Sequence, residues 1–384
     1  MGHYRANHSV MKRTIVYLNQ DCYTDTDLTV LKHLTKDFHV VWFYIHESIK
    51  TSNKISIEQA IEYAKKYDID IHVKDPRMRY RNPKNLLFYF RIAKEINKIE
   101  PDVVFHCLRD PYWSLAVKFV LQCRNVVLGI HDAQTHSYKM TLSRILEKYS
   151  KGLSIKVHCQ FVTFSSNQQK LFKHIYGKDS YMVGMSCKDF GSSCLHVPLI
   201  SHGIKLLFFG TINEYKGLDL LISAMEQLRS QGVSNLALTI AGRGSSWSAC
   251  KLLIKTREMY NLQVRFIENN EIPDLMSTHH FLVLPYRDAT QSGPLATAVA
   301  YELPVIAPNF GCFSETYTTE SAMLYSQGNL VKTLKKVAVI TNEEYQNMKA
   351  ACKKVKEANS EERIAENYIR CFNRLMNIDR SNLC

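Results

Sequence analysis

KLLFFGTINEYKGLDLLISAMEQL, residues 205–228, decides the fold. Its first part is a short apolar run with no polar alternation, as in a strand covered on both faces. After Gly210 the pattern changes: Leu218, Leu221, Ile222, Met225 and Leu228 recur at helical spacing and line one side of a helix. A buried strand, a glycine turn and an amphipathic helix make up half of a parallel βαβ unit.

The same rhythm runs along the rest of the chain. In the C-terminal half, LALTIAG (236–242), QVRFI (263–267), FLVLPY (281–286), PVIAP (304–308) and AMLY (322–325) read as further strands. In the N-terminal half, RTIVYL (13–18), FHVVWFYI (38–45), IDIHV (69–73), DVVFHC (102–107), NVVLGIH (125–131) and FVTFS (161–165) do the same. Helical stretches fall between these near 25–36, 57–67, 84–99, 111–122, 139–150 and 166–175. Thr341 and Glu344 form a capping-box pattern opening a helix over about 342–357, and a last helix follows Ser360 to about Met376. Residues 185–203, MSCKDFGSSCLHVPLISHG, break both periods and read as a linker. The expectation is an α/β protein of two doubly wound, Rossmann-like domains facing a central cleft. The boundaries are 1–198 and 199–360, with the helix at about 361–376 packing back on the first domain. A chain of 384 residues exceeds what one core usually serves, which agrees.

Composition limits the alternatives. Hydrophobic residues are 46% and charged residues 22%, an ordinary globular balance. The eleven cysteines are an odd number, with no C-x-x-C pair and no zinc-spaced Cys/His ladder, so they read as reduced thiols of a cytosolic protein. No run approaches the length of a membrane span, and MGHYRANHSV (1–10) lacks the apolar stretch of a secretory signal. Met11 opens MKRTIVYL in the manner of a usual start, which makes 1–10 look like an extension. The net charge is +13, and roughly +11 of it lies in residues 1–200. That placement points to an anionic partner for the first half: phospholipid headgroups, a lipid pyrophosphate or nucleic acid.

Three loops after strands carry candidate chemistry. In GTINEYKG (210–217), Gly210 lets a ligand approach the backbone and Lys216 puts a full cation where a helix opens. A plain turn with a solvated lysine remains open here. AGRG (241–244) is G-x-G without its third glycine, a weak signal in which Gly242 and Gly244 make a tight turn and Arg243 reaches outward. LPYRDATQSGPLATAVAYELPVIAP (284–308) places Thr290, Gln291, Ser292 and Gly293 ahead of a small-residue helix from Leu295 to Tyr301. That is a second anion cradle. Two such cradles on βα units suit one diphosphate.

At this point the chain resembles the family 4 glycosyltransferases of the GT-B fold. The motifs are FFGTINEYKGLD, AGRG, LPYRDATQSG and PVIAPNFG, over most of 205–320, and the donor loop looks like the branch that carries "ATQSG". HDAQTH (131–136) and FVTFSSNQQKLF (161–172) add weaker matches. The resemblance implies a retaining glycosyltransferase that takes a UDP- or GDP-linked sugar as co-substrate, with no other cofactor and no metal. Lys216 would neutralise the leaving diphosphate and Gly210 would admit the substrate. Asn213 and Arg243 are the substitutes for an arginine that the family often places where Thr211 stands. Thr290, Gln291, Ser292 and Gly293 would hold phosphates and sugar. The region of Gly242, Arg243, Gly244, Glu271 and Ile272 would border the nucleoside. His131 would face the transferred sugar, with Asp132 on the acceptor side. The acceptor would be a glycan, or a glycan on a polyprenyl-pyrophosphate carrier, as in surface polysaccharide synthesis.

The departures are plain. Ala289 and Thr297 stand where many members have an acidic pair, and NQDCYTDTD (19–27) has no glycine. They leave open a non-catalytic scaffold that pairs with an active partner, or a sugar-nucleotide epimerase of the same fold. A dehydrogenase is disfavoured for want of G-x-G-x-x-G. His279 and His280 read as structural.

RMRYRNPKNLLFYFRIAKEINK (77–98) interleaves Arg77, Arg79, Arg81, Lys84, Arg91, Lys94 and Lys98 with aromatic and aliphatic bulk. It suits a helix lying on anionic lipid, so the expected location is cytoplasmic and peripheral on the inner face of the plasma membrane. An ordinary domain helix with snorkelling rims is the plain alternative. No nucleic-acid motif accompanies the charge, so nucleic acid is not expected as a partner.

Overall fold

The computed structural model describes residues 12–21, 24–48, 55–78, 82–108, 110–134, 142–289 and 291–377. The chain forms two compact units, each built on a wholly parallel sheet. The passage between them falls at Gly184–Met185, at the head of the Ser- and Gly-rich stretch.

The first unit alternates strands and helices: β1 (Thr14–Gln20), α1 (Thr24–Leu34), β2 (His39–Ile45), α2 (Ile57–Lys66), β3 (Asp70–Lys74), α3 (Asn85–Ile99), β4 (Val103–His106), α4 (Pro111–Phe119), β5 (Val126–Ile130), α5 (Leu142–Val157), β6 (Gln160–Thr163), α6 (Ser166–Tyr176) and β7 (Tyr181–Met182). The sheet order is β3-β2-β1-β4-β5-β6-β7. Both faces are covered, as the unbroken apolar strands require. Ile15, Tyr17, Trp42 and Phe105 face α1 and α2, whereas Val16, Leu18, Phe43 and Val104 face α3 and α4.

The second unit continues with β8 (Ile204–Phe209), α7 (Leu218–Ser230), β9 (Leu236–Ala241), α8 (Trp247–Lys251), β10 (Tyr260–Gln263), α9 (Ile272–Ser277), β11 (Phe281–Val283), α10 (Gly293–Ala300), β12 (Val305–Pro308), α11 (Cys312–Thr316), β13 (Ala322–Tyr325), α12 (Leu330–Val337) and α13 (Asn342–Ala358). Its order is β10-β9-β8-β11-β12-β13. Leu218, Leu221, Ile222, Met225 and Leu228 of α7 are all buried against the sheet, each stabilising the fold by about 1.5–3 kcal/mol. Thr341 and Glu344 close a reciprocal capping box at the start of α13.

The last helix, α14 (Glu361–Asn377), buries Ile364, Tyr368, Phe372 and Leu375 in the core of the first unit. Phe105 meets both Tyr368 and Phe372 edge-on or tilted, and the Asn367 amide donates to the Val183 carbonyl at 2.8 Å.

Both sheets have the 3-2-1-4-5-6 order of a doubly wound fold. In such sheets ligands bind outside the carboxyl ends of the strands, where the winding reverses. In the second unit that point lies between β8 and β11, which pair directly through Phe281–Leu206 and Leu282–Leu207. Several elements differ from expectation. The strand expected at 263–267 lies at Tyr260–Gln263, because Phe266 is exposed and Ile267 turns into the core beside α9. Helix α5 runs to Val157, past Gly152, because Ser154 and Ile155 are buried and hold its last turns. Helix α12 was not expected, nor were β7, α8, α9 and α11; in α12 Leu330, Leu334 and Val337 make a buried stripe among three exposed lysines.

Candidate functional site

The loops that leave β8 and β11 at the switch point are joined side chain to side chain. Lys216 stands in a single 3-10 turn, Glu214–Lys216, just before α7, and is 6% exposed. Its Nζ donates to the Tyr286 hydroxyl at 2.8 Å and lies over the Tyr286 ring, 4.7 Å from its centroid. The Tyr286 hydroxyl in turn lies 3.1 Å from Ser292 Oγ. Ser292 is the N-cap of α10, accepting from the Leu295 N–H. One chain of polar atoms therefore runs from the cation of the first junction to the helix N-terminus of the second. Burial strips hydration from the Lys216 ammonium and pushes it down to about 8.

Backbone contacts fix the same geometry. Arg287 clamps the Asp219 carboxylate with two bonds at 2.9 and 2.5 Å, donates to the Glu214 carbonyl at 2.6 Å, and its N–H donates to the Tyr215 carbonyl at 2.8 Å. The guanidinium holds the Asp219 carboxyl below its usual range. Gly210 has φ +117°, and a side chain there would lie 3.1 Å from Pro294 and 3.6 Å from Lys216 Nζ. The missing Cβ leaves room at the centre of the site. Gly242 has φ +141°, and a side chain there would collide with the Gly210 carbonyl. The third loop is laced on by the Ile212 N–H donating to the Arg243 carbonyl at 3.0 Å and the Ser246 N–H to that of Ile212 at 3.1 Å.

Asn213 accepts from the Lys216 N–H through its carbonyl at 3.0 Å and is half-buried, as is Gln291. Thr290 lies outside the described residues. Gly244 packs against the Ile212 backbone. Arg243 is exposed, its guanidinium 5.4 Å above the exposed Phe266 ring. Glu271 is bound by Arg265 through two bonds of 2.7 and 2.5 Å and accepts from the Glu268 N–H, which holds its carboxyl down at about 2. It borders a polar groove of about 790 Å³ between β9, β10 and α9, whose lining includes none of Gly210, Lys216 or Ser292. The Ile272 side chain is buried in the core. The structure thus gathers Lys216, Gly210, Ser292 and Gly293 at one spot, with Asn213, Gly242, Arg243 and Gly244 on the adjoining loops. Glu271 stands on the neighbouring segment, paired with Arg265, the residue before the Phe266 ring that lies against Arg243.

In the first unit His131 follows β5, is 9% exposed and stacks on Phe164, with ring centroids 4.1 Å apart. The Asp132 and Ala133 carbonyls accept from the buried Lys151 ammonium at 2.7 and 2.6 Å, and the Ala133 N–H donates to Gln168 Oε1 at 2.7 Å. The loop is therefore held by a lysine that KYSKGLS (148–154) gave no reason to single out. Among the described residues no three His, Cys, Asp or Glu side chains gather as a metal site. His279 Nδ1 donates to the Leu275 carbonyl and its Nε2 pairs with the Thr239 hydroxyl, both at 2.7 Å, and His280 Nε2 donates to the Pro198 carbonyl at 2.9 Å.

On α3 the exposed residues Leu87, Arg91, Lys94 and Lys98, with Lys84 just before it, fall on one face, whereas Tyr89 is buried and Phe88 and Phe90 pack against the sheet. Arg77 is exposed beside Asp75. Arg79 and Arg81 lie outside the described residues.

Two wholly parallel Rossmann-like units with this switch-point site have the architecture of the GT-B glycosyltransferases. Residues 203–341 match the family model described as "Glycosyl transferases group 1". A 108-residue stretch is 28% identical to a GDP-mannose:glycolipid 4-beta-D-mannosyltransferase of Xanthomonas campestris pv. campestris, covering 27% of this chain and 30% of the relative, so the match spans under a third of that protein. Among solved structures, a glycosyltransferase from Rickettsia africae ESF-5 superposes with a TM-score of 0.69 at 16% identity, over 96% of this chain and all of that one. Anabaena Alr3699/HepE in complex with UDP and glucose gives 0.69 at 12% identity, over 94% and 100%.

Proposed function

We propose that the protein is a retaining glycosyltransferase, moving a sugar from a UDP- or GDP-linked donor to a glycolipid or other glycan acceptor. The observation that carries this is the Lys216–Tyr286–Ser292 chain, which brings a buried cation and the N-terminus of α10 to one switch point. A diphosphate fits that pairing: its oxygens accept from backbone N–H groups while its charge meets the ammonium.

In the reaction the bond from the sugar C1 to the diphosphate oxygen breaks, and the acceptor hydroxyl oxygen bonds to C1 on the same face. The proton of that hydroxyl passes to the departing diphosphate. Lys216 stabilises the negative charge that develops on the leaving group, and no carboxylate nucleophile or metal is required. Ala289 and Thr297, where other members have acids, fit this division of labour. The glycolipid acceptor is supported by the mannosyltransferase likeness and by the cationic face of α3, which suits an anionic membrane surface where such an acceptor would be embedded. No helix among the described residues is long and apolar enough to cross a membrane.

The test is a panel of GDP- and UDP-sugars with the full chain and glycolipid acceptors, following release of nucleoside diphosphate and the anomeric configuration of the product by NMR. Inverted product would remove the retaining step. Failure of every nucleotide sugar to bind would remove the donor site.

A further inference from the structure

Lys188 lies in the segment that follows Gly184, away from any motif, yet it is strapped along α10. Its N–H donates to the Ala296 carbonyl at 3.0 Å. On one side the Cys187 N–H donates to the Asn359 carbonyl at 2.9 Å. On the other, the Phe190 N–H donates to the Tyr301 hydroxyl at 3.1 Å, and that hydroxyl donates to the Gly191 carbonyl at 2.9 Å. Tyr301 caps the far end of α10, so the helix itself positions the strap. The Lys188 side chain runs toward the other end and brings Nζ 4.0 Å from where a Cβ of Gly293 would stand.

Two ammonium groups therefore converge on the first turn of α10: Lys216 through Tyr286 and Ser292, and Lys188 beside Gly293. The N-terminus of α10 is itself the positive end of a helix dipole. An anion at that turn would meet the helix dipole and both side-chain cations together. Resting on the donor-site reading above, we propose that Lys188 is the second cation of the nucleoside-diphosphate site, contacting the phosphate held at the α10 N-terminus. A lysine suits this position because its flexible stem presents a point charge from a strap that is already fixed.

The experiment titrates GDP and UDP, with guanosine and uridine as controls, into the full-length wild type and Lys188→Gln, Lys188→Arg and Lys216→Met variants by calorimetry. Lys188→Gln is expected to weaken diphosphate binding about tenfold, the loss of one charge-assisted bond. The unliganded melting temperature and nucleoside affinity should stay unchanged, and Lys188→Arg should restore most of the loss. Lys188→Met, which keeps the aliphatic stem, replaces the glutamine variant if that one does not fold. If Lys216→Met loses diphosphate while Lys188→Gln and Lys188→Met bind it as tightly as wild type, Lys188 has no part in the site and only this inference fails. If the wild type binds neither diphosphate, the donor-site reading fails and this one with it.

Discussion

The Lys216 ammonium donates to the Tyr286 hydroxyl at 2.8 Å, with the ring centroid 4.7 Å away. The hydroxyl also reaches Ser292, so Tyr286 is the hinge of the polar chain between the two junctions. Tyr286→Phe keeps the ring and its packing against Phe313 but removes the link. The expected outcome is a fall in turnover of about tenfold, the worth of one charge-assisted bond, with folding stability changed by no more than about 1–2 kcal/mol. Steady-state kinetics beside a thermal melt check this. Equal kcat in the two proteins would show that Tyr286 does not position Lys216.

The depressed Lys216 ammonium gives donor binding a pH signature. The free protein's group titrates at about 8. A bound diphosphate favours the charged form and raises that value. Ligand therefore selects protonated Lys216, and affinity is constant below about pH 8. Above it, affinity falls about tenfold per pH unit until the raised value of the complex is reached. Calorimetry with UDP or GDP from pH 7 to 9.5 measures the slope, and Lys216→Met should abolish it.

Gly242 stands where the third loop touches the first. Its φ of +141° and the nearby Gly210 carbonyl leave no space for a methyl group. Gly242→Ala should cost roughly 2–4 kcal/mol, or prevent folding of the second unit. Gly152 is the control: it sits inside α5 with nothing within 4 Å of its missing Cβ. Gly152→Ala should be neutral or stabilise by about 0.5–1 kcal/mol. Chemical denaturation of the two variants tests the contrast.

The fold was legible because most strands of the two sheets are short, apolar and followed by a turn, which survives any detail of packing. Lys216 and Ser292 were legible for the same reason: each stands where a strand hands over to a helix. Tyr286 was not. In FLVLPY it reads as the end of a buried strand, and only the fold shows its hydroxyl meeting two loops at once. Lys151 and Lys188 escaped because their partners are backbone carbonyls and a helix end distant in sequence, which leave no pattern. Phe266 misled in the other direction: an apolar residue in a run looked like a strand, whereas it lies exposed under Arg243.

A buried histidine pair in the first unit predicts acid sensitivity. His106 and His158 face each other at 2.8 Å through their Nε2 atoms and are both almost wholly buried. His106 Nδ1 accepts from the Leu108 N–H at 3.2 Å, and His158 Nδ1 meets the Ser154 carbonyl at 2.7 Å. Those contacts are satisfied by two neutral rings, one Nε2–H donating to the other's lone pair. Burial pushes both rings down, His158 to about 4. The unfolded rings take up protons below about 6.5, while the folded ones resist. Stability is therefore full above that value and is lost as pH falls toward 4, by a few kcal/mol for His158 alone. Asp110, pushed up to about 6 by burial, works the other way, gaining a proton in the folded state first. Melting temperatures from pH 7.5 to 4.5 should fall steeply, and Asp110→Asn should steepen the fall. A flat profile would mean that the pair is not neutral in the native state.

The cationic face of α3 sets up the last expectation. Lys84, Arg91, Lys94 and Lys98 share one exposed face with Leu87, while the buried side of the helix is filled by Tyr89, Ile92 and Ile96. The charges can be reversed without touching the core, so folding should survive. Each basic residue near an anionic surface contributes about 1 kcal/mol, and the attraction fades beyond a Debye length. Replacing Arg91, Lys94 and Lys98 with glutamate should remove co-sedimentation with phosphatidylglycerol vesicles and leave binding of UDP or GDP unchanged. Raising salt should weaken the wild type in the same way. Vesicle binding that ignores both the substitutions and the salt would place the membrane contact, and the acceptor it serves, somewhere other than α3.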